Sequence, residues 1–403
     1  MPLRLSDIAD ALDKRLLAVP RSIQRVILGL TFLVIVGVGI TNVPRAFVDY
    51  SGIPVLQRIH QYETYGTDTI ADMYESKVIL NDFADMYTKA LTPQTPLEAQ
   101  TWSKQASAPY PPAVLLAMAG LYAFGERIGA GFYGLMLAVV CLFLVLSAVY
   151  SFQTRWYIFP LMWLNVPYLG RRFFYVQDDS YLLMLVVVLA ALFVARSRRP
   201  GAHLLMAVAI TMKLSPLYYV KNLACMKRAT AAAFLAILLA GLVLPYFVWP
   251  NYLYIFRFHE QTRAVHWANI AAAASLVVPL SVALWYVETR LQFDLEDRIG
   301  WGLVPVAMLL ALTLNAARHL IVVLLVPDKR VARNMAAALG FGLYWHLPWK
   351  LPFGAVTYLI PVLLCAALLY YLSQIGWQVI ADDARHPVRT ARMMLTRNSS
   401  AGR

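Results

Sequence analysis

Apolar runs long enough to cross a bilayer recur along this chain, and they constrain it more than any motif does. Arg25 and Arg45 enclose a run that opens Val26-Ile27-Leu28-Gly29-Leu30 and continues through Ile40. The stretches from Gly131 to Phe152 and from Ala229 to Val248 are built the same way. About 20 apolar residues cross a hydrocarbon core of about 30 Å. Only 14% of the 403 residues are charged and 60% are apolar, whereas a soluble domain carries about 25% charged residues. The chain therefore reads as an all-α polytopic membrane protein. The first run does not read as a cleaved signal peptide, because residues 1–25 precede it and no small-x-small cleavage site follows.

The formal net charge of +13 is placed for a membrane and not for nucleic acid. Arg4, Lys14, Arg15, Arg21 and Arg25 precede the first span, and Arg385, Arg389, Arg392, Arg397 and Arg403 follow the last. Basic clusters flanking spans set orientation and meet anionic lipid headgroups. Both termini are thus expected in the cytoplasm, with the polar insertion 48–110 on the other side. Three regions result: a basic amphipathic segment 1–25, a membrane domain 26–375 with 48–110 as its first outer loop, and a basic tail 376–403. Within 1–25, Leu5, Ile8, Leu12 and Leu16 recur at helical spacing, which suits a helix lying in the interface. Cys141, Cys225 and Cys365 all lie in apolar segments and read as packing residues.

After the first span, apolar segments fall at about 111–125, 129–152, 156–169, 180–196, 202–225, 229–249, 268–288, 301–326, 334–346 and 351–375. The expected total is about 10–12 membrane helices. The short runs 111–125, 156–169 and 334–346 suit half-helices or re-entrant pieces. The basic turns Arg196-Ser197-Arg198-Arg199 and Lys329-Arg330-Val331-Ala332-Arg333 belong on the cytoplasmic side. That leaves the 171–180 loop and the 346–350 turn on the outer side, together with Asp68. No internal repeat supports an inverted-repeat transporter.

Few polar residues in such a chain have chemistry open to them. Asp68 and Asp72, in Tyr65-Gly66-Thr67-Asp68-Thr69-Ile70-Ala71-Asp72, place carboxylates in the outer loop. A carboxylate there is suited to take a proton from an acceptor hydroxyl as general base; helix capping is the structural alternative. Gln177-Asp178-Asp179-Ser180 precedes an apolar run, either as a cap or as a hydrogen-bonding site for a sugar. Lys213 interrupts the apolar stretch Leu204 to Tyr219, with Pro216 just beyond. A cation within a membrane segment is costly and is expected to meet an anion, a lipid phosphate above all, unless it snorkels to the interface beside a broken helix. Arg318, beside His319 in the run Val304 to Val326, invites the same argument. His346 follows Trp345 in a Pro-broken, Trp-rich turn typical of an interfacial belt, on the same expected side as Asp68. The seven histidines show no metal-ligand spacing, and no nucleotide-binding glycine motif is present.

The order of these features resembles the C superfamily of polytopic membrane glycosyltransferases, most closely glycosyltransferase family 87, which includes polyprenyl-phosphate-mannose-dependent mannosyltransferases. Asp68 is similar to the family's outer-loop aspartate, and Tyr110-Pro111-Pro112 to the Tyr-Pro-Pro that opens its next membrane segment. Gln177-Asp178-Asp179 is similar to a Gln-x-Asn, with Asp179 replacing the Asn. Lys213-Leu214-Ser215-Pro216 matches a Lys-Leu-x-Pro, and Tyr344-Trp345-His346 part of a Ser-Trp-x-His-His. The resemblance spans about residues 26–375. It implies transfer of a sugar, mannose or a pentose such as arabinose, from a polyprenyl-phosphate donor to a lipid or polysaccharide acceptor of the envelope. It further implies a GT-C fold in a bacterial inner membrane, with an active site facing the non-cytoplasmic side and no metal or other cofactor. Asp68 and His346 would be catalytic, and Asp72, Tyr110, Gln177, Asp179, Lys213, Arg318 and Trp345 would bind substrate. The competing class is a transporter or flippase of a polyprenyl-linked sugar or other amphiphile.

Overall fold

The computed structural model describes residues 5–40, 111–157, 159, 160, 180–213, 216–249, 267–301, 305 and 353–400. Among the described residues every regular element is helical and there is no strand. Helix α1 (Leu5–Leu17) meets α2 (Arg21–Ile40) at a 92° corner. Pro20 sits at the bend, where its missing N–H removes one helical bond, and Gln24 Nε2 donates back to the Val19 carbonyl at 2.7 Å. The expected helix within residues 1–25 is present, and the corner sets it at a right angle to α2.

The roll of α1 differs from the sequence pattern. Leu16 packs on the core, but Leu12 is exposed and Asp13 is the residue turned inward. Arg155 explains this: its Nε and Nη2 donate to the two Asp13 carboxylate oxygens at 2.9 and 3.0 Å. The Tyr157 hydroxyl donates to the same carboxylate, and Trp156 Nε1 donates to the Leu16 carbonyl at 2.9 Å. Charge-assisted, bidentate bonds outweigh a single leucine. Burial, and next the Asp13 bond, push the Tyr157 phenol above its ordinary pKa, so the hydroxyl stays protonated and donating.

Helices α3 (Pro112–Ile128) and α4 (Gly131–Gln153) follow as a tight pair. Pro111 and Pro112 open α3, where a missing N–H is harmless. Gly129, at φ 73°, closes α3 with its N–H on the Glu126 carbonyl and lets α4 start at once. Helix α4 packs on α2, and the Arg25 guanidinium lies 5.4 Å from the Phe152 ring centre. Helix α5 (Ser180–Ala195) starts at the serine anticipated as a cap and turns through Arg196–Arg199 into α6 (Arg199–Met212).

Next come a 3₁₀ stretch (Leu217–Cys225), α7 (Arg228–Leu238), a π turn (Leu239–Val243) and α8 (Leu244–Val248). Helices α9 (Trp267–Arg290), α10 (Leu295–Trp301), α11 (Phe353–Ile375), α12 (Trp377–Arg385) and α13 (Pro387–Ser400) complete the described chain. The tail after the last apolar run is thus helical.

Among the described residues, Gly134–Gln153, Arg228–Val248 and Ala271–Arg290 are long and apolar enough to cross a membrane, and the bent α1–α2 pair would make a fourth. Val114, Met118, Phe143, Leu183, Val187, Met206 and Ile210 form a dry core among α3–α6. Along α7, the π turn and α8, Leu235, Leu239, Val243 and Phe247 are all exposed. A contiguous apolar exterior of this kind is stable in lipid and a liability in water. The chain is a helical membrane protein. Nearly all of the expected segments 301–326 and 334–346 lies outside the described residues, so the expected 10–12 crossings are a matter for those residues.

Candidate functional site at a broken helix

Residues 202–225 read as one apolar segment, but the fold breaks them at Lys213. Helix α6 stops because Lys213 is extended (φ −154°, ψ 133°), its N–H still bonded to the Ala209 carbonyl at 3.0 Å. Pro216, which cannot sit inside a helix, then opens the 3₁₀ stretch, accepting from the Tyr219 N–H at 2.8 Å. That stretch turns back along α6. Tyr219 Oη reaches His203 Nδ1, in the second turn of α6, at 2.9 Å, and the Tyr219 ring tilts against Phe234 of α7 at 6.3 Å. Further along, Gly241 of the π turn touches Thr211 near the end of α6. Pairing 203 with 219 and 234 at one level, and 211 with 241 at another, makes α6 and α7 parallel, with the 3₁₀ stretch as the return leg. Residues 199–225 therefore enter and come back to the same end.

Lys213 marks the apex of this re-entrant path, half-buried. The 14 residues of α6 span about 21 Å at about 1.5 Å per residue. Lys213 therefore lies about that far along the helix from the basic turn Arg196–Arg199, less than the roughly 30 Å thickness of a hydrocarbon core. Broken helices in membranes persist where they line a cavity or are buried in protein, and an ammonium there attracts anions.

The return leg is held on its other side by α9. Tyr218 Oη donates to the Ser281 carbonyl at 2.9 Å, and the Lys221 ammonium pairs with Glu288, both side chains being deeply buried. Lys221 also lies 3.9 Å from the Tyr218 ring centre. Helix α13 packs against both the 3₁₀ stretch and α9. Its docking centres on Asp383 of α12, which accepts from Tyr286 Oη at 2.6 Å and from Arg290 Nε at 2.8 Å. Thr390 Oγ1 donates to the Asp383 carbonyl at 2.9 Å. Burial alone would raise the Asp383 pKa, but the bonds from Arg290 and Tyr286 prevail and hold it below the ordinary carboxylate value.

Of the candidate catalytic and substrate-binding residues, Lys213 alone falls within the described structure. Asp68, Asp72, Tyr110, Gln177, Asp179, Arg318, Trp345 and His346 lie outside the described residues. The structure adds polar groups that the sequence reading passed over, namely His203, Lys221, Asn222, Glu288 and Asp383. Glu288 had a visible signal, since it closes the apolar run 268–288. His203 and Asn222 likewise interrupt the run 202–225. Among the described residues no three His, Cys, Asp or Glu side chains gather as metal ligands. Comparison with protein-family models, with curated proteins and with solved structures gives no match. What the described residues define is a class: a helical membrane protein with three or four helices long and apolar enough to cross a bilayer and a helix broken at Lys213.

Proposed function

We propose that this chain is a membrane glycosyltransferase that moves a sugar from a polyprenyl-phosphate donor to an envelope acceptor. The observation that carries the reading is Lys213 at the apex of the re-entrant path, joined to the ordered series of motifs from Asp68 to His346. A polyprenyl phosphate has its tail in the bilayer and its charge at a membrane-embedded site, which is where a cation within the apolar slab is useful.

In this reading the acceptor hydroxyl oxygen attacks the anomeric carbon, whose bond to the phosphate oxygen breaks. The electron pair departs with polyprenyl phosphate, and Lys213 stabilises the charge that grows there. The hydroxyl proton passes to Asp68 as general base. His346 orients the donor phosphate or the sugar. No nucleotide site is required, because the donor is already activated and lipid-borne. Mannose and a pentose such as arabinose are the sugars favoured by the resemblance, with the reacting face on the non-cytoplasmic side of a bacterial inner membrane.

The test is to incubate the purified full-length protein with radiolabelled polyprenyl-phosphate sugars and an envelope lipid extract. A labelled product covalently attached to the acceptor fraction, lost in Asp68→Asn, supports transfer. Label that crosses reconstituted bilayers with no new covalent product would instead make the protein a flippase of the same lipid.

A further inference from the structure

The return leg that follows the break at Lys213 is strapped from two sides. A 3₁₀ helix repeats about every three residues, so Tyr218 and Lys221 share one face of the leg and Tyr219 lies on another. Tyr219 meets His203 of α6, whereas Tyr218 and Lys221 meet Ser281 and Glu288 of α9. The two sides differ in kind. Toward α6 the leg uses a phenol and an imidazole. Toward α9 it uses an ammonium against a carboxylate, their side chains 7% and 3% exposed. The Lys221 ammonium also lies 3.9 Å from the Tyr218 ring centre, so the two α9-facing side chains brace each other.

As a source of stability such a pair is poor. Both ions give up water, and their attraction offsets that only where the remaining polar atoms are bonded. Glu288 Oε1 is buried and has no hydrogen-bond partner among the described residues. As a choice of register the pair is strong. A slide of one turn along α9 sets Lys221 against Leu284, which is buried and apolar, or beyond Arg290, where α9 ends. Either slide leaves the Glu288 charge buried and unanswered. We propose that the Lys221–Glu288 pair is a register pin, which fixes the return leg on α9 and so positions the break at Lys213. Lys221 and Glu288 are positioning residues that act through the leg. This role is independent of the glycosyltransferase reading.

Full-length protein carrying Lys213→Cys, with Cys141→Ala, Cys225→Ala and Cys365→Ala, is the parent for the test. In nanodiscs, its rate of alkylation by N-ethylmaleimide reports how position 213 is held, and Tm is read in parallel. Adding Lys221→Met with Glu288→Leu removes both charges and leaves side chains of comparable size. Tm should then stay at or above that of the parent, because packed apolar side chains replace a buried ion pair. Alkylation at position 213 should nevertheless rise by about threefold or more, the scale of coupling between groups in contact. Exchanging the charges, Lys221→Glu with Glu288→Lys, should return the rate toward that of the parent. An unchanged rate in the apolar variant would overturn the pin, since the leg would keep its place without the charges. A rate raised equally in both double variants, with Tm lowered in both, would overturn it too and leave a plain stabilising bridge. Should the apolar variant fail to accumulate, Glu288→Gln takes its place and is read by the same rate.

Discussion

Ser197 holds a backbone conformation that its side chain resists. Its φ of 59° closes the turn between α5 and α6, with its N–H on the Val194 carbonyl at 2.8 Å. A residue with a Cβ pays about 1 kcal/mol or more in the left-handed region, and glycine does not. Ser197→Gly is therefore expected to stabilise the protein by up to about 1 kcal/mol, visible as a raised Tm with activity unchanged. Lys213 presents a different case, a cation placed in an apolar stretch. Replacing it with alanine should weaken polyprenyl-phosphate-sugar binding by about tenfold or more, about 1.4 kcal/mol. Donor affinity measured by a filter or fluorescence assay checks this. Unchanged affinity with a lowered Tm would make Lys213 a structural lysine at a helix break.

Among the elements, the α7–α8 rod shows how a helix is adjusted to a neighbour. Pro245 cannot donate to the carbonyl of Gly241 and its ring crowds that turn, and the wider π turn Leu239–Val243 absorbs the strain. Gly241 lies within that turn against α6, where a Cβ would stand 2.3 Å from the Thr211 methyl. Gly241→Ala should cost about 1–3 kcal/mol by overpacking, and combining it with Thr211→Gly should cost less than the two losses summed. Thermal unfolding of the three variants decides it; strict additivity would mean the helices separate freely there. The α1 anchor is a second element-level test. Asp13→Ala strands Arg155 and the Tyr157 hydroxyl, a loss of at most about 3–5 kcal/mol for a buried pair, less where water reaches it. Limited proteolysis after Lys14 or Arg15 should become faster, since α1 then loses its hold. The periodic leucines announced this helix, but its roll could not be read from them, because Arg155 lies far away in sequence.

At the scale of the whole molecule, the Asp383 carboxylate is one of the contacts that join the tail helices α12 and α13 to α9. Because the folded Asp383 pKa is depressed, its stabilising effect is fully present above the unfolded value of about 3.9. It is lost as pH falls below that value through the lower folded pKa. Hydrogen exchange over residues 377–400 should therefore stay protected from neutral pH down to about pH 4 and rise below it. Asp383→Asn should raise exchange at every pH. Protection that faded already near pH 6 would place the hold elsewhere than Asp383.

The class of this protein was legible in its sequence because the bilayer acts on local properties. Run length and apolarity specify spans, and prolines and glycines such as Pro112, Gly129 and Pro216 mark where helices begin and end. The starts of α3, α5 and α9 fell within a residue or two of the apolar boundaries for that reason. The cost of Lys213 in a greasy stretch was equally local. What tertiary structure alone decided was direction and pairing. Nothing in residues 202–225 by themselves says that the chain turns back at Lys213, since this depends on Tyr219 finding His203 and on Gly241 admitting Thr211. The pairs Asp13–Arg155, Lys221–Glu288 and Arg290–Asp383 join segments distant in sequence, and a charge carries no record in its own neighbourhood of the partner that will neutralise it.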